Sequence, residues 1–255
     1  MKHKPNYIYK YSSISAFTFK NLILGQLRFN PPTLMNDQLE GMIKVKNTEF
    51  RPSKKAINNF LADKQLDYWW NERDIDEKGF LEFYMDYWFN YELKKYRITC
   101  FSRTATETLM WAHYADKHSG ICLIYEKDIL IKSLKSIDNF ELLPVQYGVK
   151  PTITLLEKDN RIDYDSDIPI ISAKDPNWKY EKEVRIYNVH EETDRIYGDS
   201  FYTPREALIG VIYGHKISEN DKDAISMIFR NEPLYGHVVE YDEVIDYQLG
   251  KIVIQ

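Results

Sequence analysis

Cysteine is scarce in this chain, with two residues in a sequence of 255. Cys100 and Cys122 each lie inside an apparent buried strand. Neither has a second cysteine or a histidine at the spacing of a metal site. Both thiols are therefore interpreted as small apolar core residues.

Long apolar runs are also missing. No stretch approaches the roughly 20 apolar residues that are needed to span a bilayer. The first twelve residues, MKHKPNYIYKYS, lack the apolar segment of a signal peptide. The protein is therefore expected to be cytoplasmic, with no membrane partner.

An excess of positive charge is absent as well. The formal net charge is -5 and the isoelectric point is near 5.8, so no global basic field indicates a nucleic-acid partner. The hydrophobic content of 44% is ample for a packed core. We expect a single domain over residues 1–255, and the sequence leaves its oligomeric state open.

Short apolar segments between polar turns predict strands at residues 7–11, 27–30, 97–102, 121–126, 184–187 and 208–215, and through 238–239 and 252–253. One helix is predicted to begin after Ser12 or Ser13 and to stop at Gly25, and another to span about 218–230. Strands do not alternate regularly with helices. The pattern therefore favours an α+β fold, with a mixed or mainly antiparallel sheet and packed helices.

Residues 53–96 have a helical pattern. Ser53 is a credible cap, and the second part of the segment carries aromatic residues at helical spacing. They are Phe80, Phe83, Tyr84, Tyr87, Trp88 and Tyr91. We interpret this stretch as a helical insertion, or as a cap over the sheet.

The densest group of chemically capable side chains is LMWAHYADKHSG, from Leu109 to Gly120. It is predicted to form a helix that ends with Gly120 in the left-handed conformation. Trp111, Tyr114 and His118 then share one face. In the functional interpretation, His118 and Tyr114 line a pocket beside Trp111. In the alternative, this face packs in the core.

A metal site on that helix is not predicted. His113 and His118 are five residues apart, which points their side chains away from each other by roughly 140°. A helix that holds zinc with two histidines normally spaces them four apart.

A second dense stretch runs from Lys174 to His190. Glu181 and Glu183 are predicted to share one face at the start of a strand, where they could simply pair with Arg185 or a lysine. They could also stabilise a cation or abstract a proton. The Asn36 turn, with Asp37 and Glu40, leaves a similar choice between local hydrogen bonds and a pocket.

The two dense stretches lead to a spatial prediction. His118 and Tyr114 should lie within about 10 Å of Glu183 and of Tyr11 or Asn36, around one concave pocket.

That pocket is expected to contain Trp111 or Trp178. In the rival arrangement both tryptophans are buried against the sheet and no shared cavity exists. His118 then donates to a backbone carbonyl, and Glu183 pairs with Arg185 or a lysine at the surface.

Motifs along the chain resemble a bacterial family, domain of unknown function 2971. They are YKY with Ser12, LRFNPPTLMND with Glu40, CFS, LMWAHYADKHSG and WKYEKEVRI, in this order. The family name carries no activity, so the resemblance implies kinship without a chemistry. Gln38 stands where the usual Asn-Asp-Pro turn has proline.

A second, fainter resemblance concerns the order of strands and helices, which is similar to that of the ADP-ribosyltransferases. Those enzymes bind NAD through strand-borne motifs. The resemblance implies that Glu183 stabilises oxocarbenium charge and that Glu181 orients or deprotonates an acceptor. Tyr11 and Trp111 would stack on a ring, and Ser12 or His118 would hydrogen-bond the ribose or amide. Lys10 stands where that superfamily commonly has Arg or His.

Two functions are carried forward. One is an NAD- or nucleotide-processing enzyme, a transferase or NAD glycohydrolase, acting in toxin or defence biology. Its catalytic residues would be Glu183, Glu181 and His118, and its binding residues Tyr11, Ser12, Asn36, Trp111 and Tyr114. The other is a module that binds a small ligand or nucleotide without catalysis. No cofactor is assigned, and NAD enters as a substrate.

Overall fold

The structure is a computed structural model that describes residues 6–37, 40–64, 75–190 and 199–255. Its largest sheet has eight strands in the order β15-β14-β13-β5-β1-β4-β11-β6. They are β1 (Tyr7–Ser12), β4 (Tyr96–Ser102), β5 (Ile121–Glu126), β6 (Glu141–Pro144), β11 (Glu183–Val189), β13 (Leu208–Tyr213), β14 (Val239–Asp246) and β15 (Lys251–Ile254).

Shorter strands form three smaller sheets. A three-stranded sheet has the order β3-β8-β9, and β2 pairs with β12 and β7 with β10. Their bounds are β2 (Gln26–Phe29), β3 (Lys44–Val45), β7 (Gln146–Tyr147), β8 (Thr152–Lys158), β9 (Arg161–Ser166), β10 (Ala173–Lys174) and β12 (Asp199–Tyr202).

The described α-helices are α1 (Ala16–Leu24), α2 (Lys54–Asp63), α3 (Phe80–Tyr87), α4 (Leu93–Lys95), α5 (Thr108–Tyr114), α6 (Lys127–Ile137) and α7 (Glu219–Asn231). A π-helical segment, Trp88–Glu92, joins α3 to α4. None of these helices is long and apolar enough to cross a membrane.

Within the eight-stranded sheet, β13 and β14 run parallel, whereas the other pairs are antiparallel. The predicted α+β fold with a mainly antiparallel sheet is therefore confirmed.

Two apolar clusters cover opposite faces of this sheet. Ile8 and Leu123 pack with residues of α1, α6 and α7. Their neighbours Tyr9 and Ile124 pack instead with Trp111 of α5. Successive side chains of a strand point to opposite faces, so the alternation along β1 and β5 separates the two clusters.

The predicted helical stretch forms a third cluster. Aromatic residues of α2 and α3, such as Phe60 and Phe83, pack with Ile153 and Leu155 of β8. Ser53 caps α2 as predicted, its hydroxyl accepting from the backbone N–H of Ala56. These helices thus pack on the three-stranded sheet. Their status as an insertion stays a prediction, and residues 65–74 of the stretch lie outside the described residues.

Helix α1 ends as predicted but begins later. Gly25 has φ of 63° and ends the helix in the left-handed conformation. The cap is Ser15, whose side chain accepts from the backbone N–H of Thr18. The prediction of Ser12 or Ser13 as the cap is wrong.

The predicted helix from Leu109 to Gly120 is also corrected. Helix α5 ends at Tyr114, and Asp116, Lys117 and His118 follow with φ of 45°, 53° and 76°. Such left-handed values are uncommon for residues other than glycine.

Gly120 does not have the predicted left-handed conformation, and glycine is needed at this position for a different reason. A Cβ atom there would lie 2.3 Å from the carbonyl oxygen of Ser12, so only glycine allows the turn to approach β1 so closely.

We expect Gly120→Ala to lower the free energy of unfolding by about 1–3 kcal/mol or more, because the added methyl group meets backbone atoms that cannot move aside. Urea unfolding monitored by circular dichroism measures the loss. Gly236→Ala is the matched control, since Gly236 is exposed and its added Cβ would be 3.5 Å from the nearest atom. It should change stability by less than about 0.5 kcal/mol. Equal losses for both variants would contradict the explanation.

Candidate functional site

The eight-stranded sheet opens between β1 and β4. Both strands lie wholly within the described residues and pair at one position, Tyr9 with Ser102. In contrast, β1 pairs with β5 along its length from Tyr7 to Ser12. The facing edges of β1 and β4 line a cavity of about 220 Å³, and at Ile98 the edge of β4 pairs with Asn30.

Lys10 crosses this gap. Its Nζ donates to Thr99 Oγ1 at 2.8 Å and to the carbonyl oxygen of Cys100 at 3.1 Å, both on β4. Burial lowers the pKa of the Lys10 ammonium group, and the negative charge of Glu183 opposes that effect. The lysine therefore satisfies backbone and hydroxyl groups that a regular strand pair would cover.

The cavity combines three kinds of side chain. Cationic groups come from Lys10, Arg28 and Lys174, carboxylates from Glu181 and Glu183, and aromatic rings from Tyr9, Tyr11, Phe101 and Tyr114. Leu34 and Asn36 also line it and are exposed, so they stand at its rim.

Glu183 is held by two cations. Arg185 donates from Nε to Oε1 at 2.8 Å and from Nη2 to Oε2 at 3.2 Å, and Lys174 Nζ lies 3.0 Å from Oε2. Burial raises the pKa of Glu183, but the charges of Arg185 and Lys174 outweigh it and hold that pKa well below its usual range. Glu183 is thus ionised, with both carboxylate oxygens engaged.

Arg185 also binds a second carboxylate. Its Nη1 donates to Glu40 Oε1 at 2.6 Å, and both side chains are almost fully buried. Burial raises the pKa of Glu40 although Arg185 pulls it down. Among the described residues, Glu40 Oε2 has no hydrogen-bond partner. Glu40 is therefore buried beneath the site and does not line the cavity.

Glu181 has a different environment. Lys174 Nζ lies 2.5 Å from its Oε2, and the Tyr114 hydroxyl donates to Oε1. Burial raises the pKa of Glu181 despite the lowering effects of Lys174 and Tyr114. A carboxylate with a raised pKa is a stronger base than an ordinary glutamate, and one that faces a cavity is suited to proton transfer.

The chain reaches this arrangement through a turn that strand periodicity does not predict. Glu181 ends a 3-10 helix, Pro176–Glu181, and Lys182 has φ of 47° before β11 begins at Glu183. The prediction that both glutamates share one strand face is therefore wrong. The left-handed residue between them directs both side chains to the cavity.

Cys100 also departs from the prediction. Cys122 is fully buried as predicted, whereas Cys100 is half-buried and lines the cavity. Burial and the charge of Glu183 raise the pKa of the Cys100 thiol. A thiol with a raised pKa is a poor nucleophile, so no covalent role is assigned to Cys100.

The fold brings together five of the predicted site residues. Tyr11, Asn36, Tyr114, Glu181 and Glu183 all line the cavity. They come from distant parts of the sequence, as predicted, but the prediction also placed His118 and a tryptophan in this pocket, and neither is among the described residues that line it.

Three other predicted residues lie elsewhere. Trp111 is fully buried and its indole N–H donates to the Ala105 carbonyl oxygen at 2.8 Å. Ser12 points to the other face of β1, where its hydroxyl contacts Thr18. His118 pairs with Glu243, because the left-handed residues after α5 turn it away from the face that carries Tyr114.

The tryptophan expected in the pocket is not Trp178 either. Its half-buried ring lies 5.2 Å from Lys174 Nζ, outside the set of described residues that line the cavity. Lys174 and Arg28 are the site residues that the sequence reasoning missed. The sequence offered one indication of such residues, because two buried glutamates need cationic partners.

The site thus belongs to an α+β protein with a charged cavity in a split sheet. Residues 110–186 match the model of a family described as "Protein of unknown function (DUF2971)". The resemblance to this family is confirmed, and the matched stretch includes Tyr114, Lys174, Glu181 and Glu183.

No curated protein and no solved structure matches the chain. These comparisons therefore give no support to a similarity of layout to the ADP-ribosyltransferases. Gln38, which replaces proline in the family's turn, lies outside the described residues.

We expect Glu183→Gln to lower the free energy of unfolding at pH 7 by about 3–5 kcal/mol, because Arg185 and Lys174 lose the buried negative charge between them and keep one carboxylate each, Glu40 and Glu181. The lowered pKa of Glu183 means that its ionised form stabilises the fold above the unfolded-state pKa of about 4.3. That contribution is lost as the pH falls towards the folded-state value. The difference between wild type and variant, measured by urea unfolding, should therefore narrow below about pH 4.

The control is Glu49→Gln, since the Glu49 side chain is 95% exposed. It should have little effect at either pH. A Glu183→Gln loss that is equally large at pH 3.5 and pH 7 would contradict the electrostatic explanation.

Proposed function

We propose that this protein processes a nucleotide, with NAD as the first candidate, in the cavity between β1 and β4. One observation carries the proposal. Two carboxylates, Glu181 and Glu183, face one cavity with pKa values displaced in opposite directions. Such pairs are typical of sites where one group transfers a proton and the other provides fixed charge.

The lining supports a ligand that has both an aromatic ring and phosphate. Tyr11 and Tyr114 provide apolar ring surface, and Arg28 and Lys10 provide positive charge. A volume of about 220 Å³ is below the roughly 300–1,000 Å³ of common ligand pockets. The cavity therefore suits one base and ribose, with the remainder of a dinucleotide extending past the exposed rim at Asn36.

The chemistry proposed is cleavage of the bond between nicotinamide and ribose. The bonding electron pair leaves with nicotinamide, and the ribose carbon develops oxocarbenium charge that an adjacent carboxylate stabilises. Water or another acceptor then bonds to that carbon and gives its proton to a base. The products are nicotinamide and either ADP-ribose or an ADP-ribosylated acceptor.

We assign the base to Glu181. Its carboxylate faces the cavity, and its raised pKa favours proton acceptance. Glu181 contacts one cation, Lys174, and the neutral hydroxyl of Tyr114, whereas Glu183 lies between Arg185 and Lys174 and so stays ionised as the fixed negative charge. In this proposal Glu183 positions Lys174, which in turn orients Glu181.

The engaged state of Glu183 also favours a second candidate. A site whose charges are already paired can bind a nucleotide or other small ligand without turnover. Binding and cleavage must therefore be measured separately. A toxin or defence role would follow only from the consumption of NAD.

The test of catalysis uses the purified full chain with NAD, and chromatography follows nicotinamide release. Removal of a general base typically costs 10²–10⁴-fold in rate. We expect Glu181→Gln to lower release by at least about 100-fold while NAD binding, measured by calorimetry, changes by only a few fold. Glu49→Gln, at an exposed site, should behave like wild type. If the wild-type chain binds NAD without releasing nicotinamide, the second candidate is supported. If it shows no binding and no release, the nucleotide proposal is overturned.

The test of phosphate binding uses Arg28→Met. Loss of one charge-assisted hydrogen bond costs about 1.5–3 kcal/mol, so affinity for ADP-ribose should fall about 10-fold or more. Arg230→Met is the control, because Arg230 is exposed in the last turn of α7. Equal affinities of the two variants would exclude Arg28 from phosphate binding.

A further inference from the structure

His118, His215 and Glu243 form a second cluster of polar side chains, separate from the lining of the cavity. His118 Nδ1 lies 2.7 Å from Glu243 Oε1, and His215 Nδ1 lies 3.0 Å from Oε2. The two imidazole centroids are 4.7 Å apart. One nitrogen from each ring and one carboxylate oxygen all lie within 4.8 Å of one another.

We propose that these three residues bind one divalent transition-metal ion, with Zn²⁺ as the ion of best fit. Two imidazole nitrogens and one carboxylate oxygen are a donor set that zinc accepts, with water as the fourth ligand. Magnesium and calcium prefer oxygen donors, so the two histidines disfavour them.

The distances approach those of a metal site and require a small rearrangement. Tetrahedral ligands at 2.0–2.1 Å from zinc lie about 3.3 Å apart. The 2.7 Å and 3.0 Å contacts of the two rings involve different oxygens of Glu243, and one ligand atom from each of the three residues can be chosen within 4.8 Å of the others. A small rotation of the rings would bring one nitrogen of each to about 3.3 Å from a shared carboxylate oxygen and from each other.

Charge provides a second argument. The Glu243 side chain has no exposed surface, and its ion partners are the two histidines. Its other contact is the backbone N–H of His215 at 3.0 Å. A buried carboxylate is costly unless cations and hydrogen bonds compensate it, and among the described residues no lysine or arginine forms an ion pair with Glu243. A divalent ion between the three side chains would supply positive charge there.

The backbone holds the three ligands in place. His118 follows two other residues with left-handed φ, a conformation that costs free energy outside glycine. Its carbonyl oxygen accepts from the N–H of Lys216 at 3.0 Å, and a Cβ atom on Gly214 would lie 2.1 Å from that oxygen. The segments that carry His118 and His215 are therefore packed as closely as backbones allow.

Solvent can reach the open side of the cluster. The His118 and His215 side chains are 12% and 23% exposed, whereas Glu243 closes the buried side. An ion could enter from this side and keep a water ligand. Three protein ligands from the turn after α5, the turn after β13 and strand β14 would then be joined by one ion.

The test uses the untagged full chain after treatment with a chelator. Zn²⁺ is titrated in competition with a chromophoric chelator, and bound metal is counted by mass spectrometry. We expect one zinc per chain, and at least about 100-fold weaker binding in His118→Ala and in His215→Ala. His113→Ala is the matched control, because His113 is exposed on α5 and its ring lies against Tyr180.

A conservative variant separates metal binding from folding. Glu243→Gln keeps the size of the side chain and the ability to accept hydrogen bonds, so circular dichroism should show a folded chain with weakened zinc binding. Zn²⁺ should raise the melting temperature of wild type and of His113→Ala, and leave the three ligand variants unchanged. Wild-type zinc affinity equal to that of the ligand variants would overturn the proposal, as would tighter binding of Mg²⁺ than of Zn²⁺.

Discussion

The buried guanidinium group of Arg185 is the interaction on which the site depends. It holds Glu183 with two hydrogen bonds and Glu40 with a third, and all three side chains are almost fully buried. Its Nη1 also donates to the carbonyl oxygen of Ile171. One side chain thus joins β11 to the distant turn that carries Glu40 and to the 3-10 helix Ile170–Ser172. Without it, Glu40 would be buried with no ion partner among the described residues and Glu183 would keep Lys174 alone, and breaking buried ion pairs in this way is strongly destabilising.

The opening between β1 and β4 has its own physical logic. A sheet strand with an unpaired edge leaves backbone groups that need partners. On β4 the ammonium group of Lys10 takes over part of this task, through the Cys100 carbonyl oxygen and the Thr99 hydroxyl. The same opening leaves the cavity that Glu181 and Glu183 line. A catalytic or binding site can form there because Lys10 supplies hydrogen bonds to β4 at the opening, where a neighbouring strand would otherwise supply them.

Strand periodicity and local capping signals predicted much of the fold. The strands that include Tyr9, Ile98 and Cys122, the stop at Gly25 and the cap at Ser53 all depend on residues close in sequence. These features are decided by local conformation and by which face is buried, so a single sequence carries them.

Predictions failed where distant contacts decide the backbone. The left-handed residues up to His118 follow from close packing against Gly214, about a hundred positions away, and nothing local indicates them. The same holds for Lys174, which reaches Glu181 because β10 pairs with β7. Glu243 lies in the polar strand segment VEYDEVID, and its burial becomes evident only once the fold is known.

Trp111 lies between the cavity and the cluster of His118, His215 and Glu243, and it contacts a residue of each. Its ring is nearly parallel to that of His118, at 6.3 Å, and the edge-on ring of Tyr11 lies 5.2 Å away. Tyr11 lines the cavity and His118 belongs to the metal-binding cluster proposed here. The indole therefore forms a shared wall, and its full burial with a hydrogen-bonded N–H makes that wall rigid. The predicted contact between His118 and Trp111 is present, but the two residues do not line one pocket together. Trp111 instead lies between the cavity and the cluster that contains His118.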